Sequence, residues 1–152
     1  MLIDGVTNAG AVPTLAASVQ FAARRQELLA NNIANLSTPD FRPMDVDPRG
    51  FQKVLREAVE ERRSGGSAGR VRPGGGDLGW QETREVTRDA SGRLRLTPRT
   101  PSGNVLFHDR NNRDLERTMQ ALAENAAAFR LATGLLRNRV QQMRNAIAER
   151  AV

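Results

Sequence analysis

Apolar residues fall at Leu15, Val19, Ala22, Leu29, Ile33 and Leu36, in steps of three and four interrupted only at Gln26. That is the period of one helical face, and it predicts an amphipathic helix of about five to six turns at 3.6 residues per turn. The helix is expected to stop near Leu36-Ser37-Thr38. Pro39 disfavours helical geometry in the residue before it, and Ser, Thr, Pro and Asp together are turn chemistry. Phe41 then opens an extended stretch.

The last segment carries a longer pattern. Leu115, Met119, Leu122, Ala126, Phe129, Thr133, Leu136, Val140, Met143 and Ile147 alternate in steps of four and three without a break, the spacing of a coiled-coil seam. A helix from about Arg113 to Arg150 would be roughly 55 Å long at 1.5 Å per residue. Such a helix calls for an elongated or assembled molecule. Asn111 or Asn112 is expected to cap it, with Asp114 and Glu116 in its first turn and Arg137, Arg139, Arg144 and Arg150 at its far end, both biases matching the helix dipole. Gly134, mid-helix, costs about 1 kcal/mol relative to alanine; it serves either close approach of another helix or a flexible point.

Between these helices, FQKVLREAVEERR (51–63) places Phe51, Val54, Leu55, Ala58 and Val59 on one side and predicts a short helix. Residues 64–79 hold seven of the 13 glycines and read as a flexible linker. Trp80–Arg88 and Arg93–Thr97 flank Asp89-Ala90-Ser91-Gly92 as in a small hairpin, which alone is marginal in water.

The chain has 152 residues, one domain's worth of material. The predicted fold is mainly α: long N- and C-terminal helices paired as an antiparallel coiled coil, with a flexible loop and short β-hairpin between them. Its organisation is 1–41, an N-terminal helix and its turn; 42–108, a middle segment; and 109–152, a C-terminal coiled-coil helix. The remaining apolar flanks, Phe21, Leu28, Leu131 and Leu135, are covered either by the middle segment or by other chains.

Aromatic residues are only 4% of the chain and no cysteine is present, which suits helix-on-helix packing and excludes disulfides and thiolate metal sites. With His108 as the single histidine, no metal, cofactor or catalytic set is predicted. Gly74-Gly75-Gly76 lacks the strand-then-helix context of a phosphate loop. The net charge of +6 rests on arginine, Lys53 being the one lysine. Arg70-Val71-Arg72 raises a basic nucleic-acid-binding helical protein as the alternative; acids alternate with the arginines and no stacking aromatics accompany them. The start, Met1-Leu2-Ile3-Asp4-Gly5, lacks the basic and apolar regions of a cleaved signal peptide, and no stretch has the length and apolarity of a membrane span.

The stretch Arg25 to Phe41, RQELLANNIANLSTPDF, resembles the N-terminal signature of the flagellar rod and hook proteins, an Asn-rich helix end followed by Thr-Pro and an aromatic residue. Asp109 to Ala126, DRNNRDLERTMQALAENA, resembles the C-terminal segment of the short proximal-rod members of that family. The chain departs from the family pattern at Arg110, Arg113 and Thr118, and in having Pro48-Arg49-Gly50 between Asp47 and Phe51. The resemblance implies a structural, non-enzymatic subunit of the basal-body rod that acts on no small molecule or nucleic acid. Its implied partners are other copies, other rod proteins, the membrane ring and the export gate. It also implies export through the flagellar type III apparatus without a cleaved signal. Assembly contacts are then expected at Asn31, Asn32, Asn35, Thr38, Pro39 and Phe41, and on the last helix at Leu115, Met119, Leu122, Phe129, Leu131, Leu136 and Val140. For the asparagines a polar, frayed helix end is the other reading, and for Phe41 simple burial beside a helix stop.

Overall fold

The computed structural model describes residues 10–63, 78, 81–89, 92–100 and 114–149. In chain order they form α1 (Val12–Ala34), α2 (Pro48–Arg63), β1 (Val86–Arg88), β2 (Leu94–Leu96) and α3 (Leu115–Glu149). The long first and last helices pack against each other, and a short antiparallel hairpin lies in the middle of the chain. No described helix is long and apolar enough to cross a membrane.

Local chemistry sets the helix ends. At the end of α1, Phe41 N–H donates to the Thr38 carbonyl at 3.3 Å, and Asp40 has φ 57°. Pro39 precedes it with φ fixed near −65°, which excludes the primed turns and leaves a type II turn, whose third position needs a left-handed residue. Aspartate tolerates that conformation and β-branched residues do not. Asp40→Val is therefore expected to lower stability by about 1 kcal/mol or more, with Asp40→Asn near neutral; urea unfolding followed by circular dichroism checks it.

Helix α2 starts at Pro48, before the expected Phe51, because a proline in the first turn gives up an N–H that has no intrahelical acceptor. Asp114 caps α3 from outside the helix: its carboxylate accepts from Arg117 N–H at 2.9 Å and its carbonyl from Thr118 N–H at 3.1 Å. It therefore stands at the N-cap position and not in the first turn. Asn111 and Asn112 lie outside the described residues, as do His108 and Trp80.

The chain divides into two compact units. One comprises Met1–Val19, Arg49–Gln81 and Arg130–Val152. Its buried apolar residues are Ala17, Phe51, Ala58, Leu78 and Ala132. Phe51 and Ala58 lie on one face of α2, as their spacing requires. Leu78, in the stretch read as linker, is 2% exposed and so belongs to this core; residues 64–77 and 79 lie outside the described ones. Arg139 reaches the start of α1, where a methyl group added at Gly10 would meet its guanidinium at 3.3 Å.

The other unit comprises Gln20–Pro48 and Glu82–Phe129. Its core is Phe21, Ala22, Leu29, Val46, Val86 and Leu94, with Arg25, Asn32 and Asn125 also buried. The hairpin pairs Val86 with Leu96 and Arg88 with Leu94. Gly92, at φ 77°, and the Asp89 carboxylate, which accepts from Arg93 N–H at 2.9 Å, close it. The hairpin is anchored on α1 through Leu94 N–H, which donates to Gln20 Oε1 at 3.2 Å. An isolated antiparallel bridge joins Asp45 to Arg99, so the stretch after α1 extends the same platform.

The platform decides between two readings of one flank. Phe21, for which cover by the middle segment or by other chains was open, is 5% exposed within this chain. Along α1 the buried line is Ala17, Phe21, Ala22, Arg25, Leu29 and Asn32, while Leu15, Val19, Ile33 and Leu36 are half-buried. In the second unit both α3 and the platform cover α1, so its buried arc is wider than one seam.

Candidate functional site

Two polar side chains of α1, seven residues apart and hence on one face, hold residues 43–47 against the helix. Asn32 is 5% exposed; its Nδ2 donates to the Met44 carbonyl at 2.7 Å, and Met44 N–H donates to its Oδ1 at 3.1 Å. A side-chain amide here meets both main-chain groups of one residue, as a neighbouring strand would. Arg25 binds the Asp45 carboxylate with both arms of its fork, Nε to Oδ1 at 2.8 Å and Nη2 to Oδ2 at 2.6 Å. Oδ1 also accepts from Val46 N–H at 2.8 Å. The paired geometry is the strong form of an arginine–carboxylate contact.

The network continues into the platform. Asp45 and Arg99 exchange two backbone hydrogen bonds of 2.9 Å. Glu85 accepts from Asp47 N–H at 3.1 Å and lies 3.5 Å from Arg99 Nε. Beside these groups opens a cleft of about 570 Å³, with Leu29, Val46 and Ala121 as apolar walls and Arg25, Asp45, Glu85, Arg99, Asp114 and Arg117 among its polar lining. The Asp45 and Glu85 carboxylates are thus committed to arginines and main-chain donors. Among the described residues no cluster of His, Asp and Glu is placed to hold a metal ion.

Where α1 and α3 meet in this unit the contact is polar at its centre. Asn125, 4% exposed, donates from Nδ2 to the Ala22 carbonyl at 2.8 Å and to Gln26 Oε1 at 2.7 Å. Gln26, which breaks the apolar pattern of α1, is matched by this asparagine on α3. A buried polar pair in a helix seam fixes register, since sliding leaves it unsatisfied.

The expected assembly residues divide. Asn32 is turned inward, and both ends of its amide bind Met44 of the same chain. Asn35, half-buried, donates to the carbonyl and side-chain oxygen of exposed Asn31, so these two form a local helix-end pair. Thr38 and Pro39 are exposed in the turn and Phe41 is half-buried. On α3, Leu122, Phe129, Leu136 and Val140 are half-buried along the seam, whereas Leu115, Met119 and Leu131 are 41%, 53% and 66% exposed. Leu135 and Ile147 are exposed as well.

A set of large apolar side chains left open on one long helix is what a polymerising subunit requires, and the comparisons point the same way. No model of a known protein family matches the chain. The flagellar basal body rod protein FlgB of Yersinia enterocolitica is 24% identical over 139 residues, covering 87% of this chain and 89% of that protein. FlgB of Salmonella typhimurium is 27% identical over 132 residues, covering 86% and 87%, and FlgB of Escherichia coli 25% over 135 residues, covering 86% and 87%. The chain is similar to the flagellar rod protein FlgB over most of its length. The match to the FlgB proteins leaves too little chain outside it to miss either α1 or α3. It also takes in nearly all of each FlgB chain, so the likeness is to whole proteins.

Proposed function

We propose that the chain is a structural subunit of the proximal rod of the bacterial flagellar basal body, polymerising through its terminal helices with copies of itself and with other rod proteins. The observation that carries this reading is the coincidence of end-to-end similarity to FlgB with a long α3 whose Leu115, Met119, Leu131, Leu135 and Ile147 are left exposed. Helical subunits that meet through non-identical surfaces add without closing on themselves and so build filaments. As part of the rod the subunit transmits torque and lines the export channel. It is joined to the membrane ring and export gate, and travels through the type III exporter without a cleaved signal.

Deletion of the gene tests the reading: basal bodies seen by electron microscopy should keep the membrane ring and lose rod and filament, with motility abolished. Intact flagella in the deletion strain would overturn it. Within the same reading, Leu131→Glu is expected to leave the purified chain soluble and helical, because the side chain is already 66% exposed, while abolishing incorporation and swimming. Normal motility of that variant would remove Leu131 from the interface.

A further inference from the structure

Helix α3 carries opposite charges in its two halves. Along 114–129, Asp114, Glu116 and Glu124 stand against Arg117 alone. Along 130–149, Arg130, Arg137, Arg139 and Arg144 stand against Glu149 alone. Arg130, Arg137 and Arg144 recur every seven residues and drift only about 20° around the helix per repeat. They form an exposed stripe with no carboxylate partner among the described residues.

Beside the stripe are Leu131, 66% exposed, and Leu135, 47% exposed, with Gly134 between them. A methyl group added at Gly134 would meet nothing within 4 Å. The glycine therefore makes room for no group among the described residues, although it weakens the helix by about 1 kcal/mol relative to alanine. The acidic half offers the complement: Leu115 and Met119 are exposed one turn apart with exposed Glu116 beside them, and exposed Glu124 stands about two turns further along the helix.

We infer that the Arg130–Arg137 stripe and the Gly134 face of one subunit receive the acidic first half of α3, with Glu116 and Glu124, from a second copy of the same chain. This rests on the rod reading, in which copies along a polar filament point the same way. Glu116 and Glu124 are about 12 Å apart along the helix, and Arg130 and Arg137 about 10.5 Å. Parallel helices offset by about 20 Å thus set each glutamate at the height of an arginine, the long side chains spanning the remaining turn of about 80° between Glu116 and Glu124. Charge complementarity selects the pairing, and the bare Gly134 backbone lets the helices approach closely.

The test supplies variants to a deletion strain and reads swimming and rod assembly. Loss of motility on deletion and its return with the wild-type chain establish the rod reading by themselves. The double variants Arg130→Glu/Arg137→Glu and Glu116→Arg/Glu124→Arg should each leave swimming at the level of the deletion strain, and the four changes combined should restore it. Gly134→Leu should raise the helicity of the purified chain and still block assembly, a split that misfolding would not give. Wild-type swimming by either charge-reversed variant, or failure of the fourfold variant to recover, would overturn the pairing while leaving the rod reading intact. In that event, binding of the purified chain to anionic lipid vesicles that disappears in Arg130→Glu/Arg137→Glu would assign the stripe to a membrane surface.

Discussion

Asp45→Ala is expected to lower the unfolding free energy by about 3 kcal/mol, because it strands a buried arginine charge. The Arg25 side chain is 8% exposed and directs two arms of its fork to the Asp45 carboxylate, whose own side chain is 24% exposed. The asymmetry of burial gives the sign of the comparison. In Arg25→Met the methionine fills the apolar part of the site and the orphaned carboxylate can still reach water, so the expected loss is about 1 to 2 kcal/mol. Adding Asp45→Ala to Arg25→Met should change little further, since the buried charge has already gone. Urea unfolding followed by far-ultraviolet circular dichroism measures all three, and equal losses in the two single variants would show that both charges are solvated.

Leu29→Ala is the second large effect, with an expected loss of about 3 kcal/mol from lost transfer energy and the cavity left behind. Leu29 is 2% exposed and lines the cleft between α1 and residues 43–48. Leu29→Met keeps nearly the same volume and should cost less than about 1.5 kcal/mol. The same denaturant titration decides. A loss under about 1 kcal/mol for the alanine variant would mean that the cleft walls collapse into the vacated space.

The two long helices were legible because their apolar positions keep the 3.6-residue period over many turns, and no local chemistry competes with it until Pro39 in α1. The hairpin was legible from Asp89-Ala90-Ser91-Gly92. The buried polar positions were not. Asn32 and Arg25 lie on the buried side of α1, but their partners Met44 and Asp45 sit in an extended segment with no period, so nothing in the spacing pairs them. The gap at Gln26 was the one visible trace of such a contact; its partner, Asn125, lies 99 residues away on α3. The cover of Phe21 stayed open between the middle segment and other chains for a related reason, since a single-seam reading of α1 has no place for the platform that covers a second side. The cap of α3 went to Asp114 because aspartate caps as well as asparagine does and runs of such residues do not rank themselves. Within the family signature at 25–41, Asn32 was read as a contact for other subunits or part of a polar helix end, and it acts inside the chain, as does Arg25, to which no role was given.

The grip of Asn32 on residue 44 has a practical side. It reads only the main-chain N–H and C=O of that residue, whose side chain is 41% exposed. Any amino acid that keeps its N–H can occupy the position, and proline alone is barred. Since the chain has no cysteine, Met44→Cys would install a single thiol next to the Arg25–Asp45 pair, where a fluorescent or spin label could follow the subunit as it joins its neighbours.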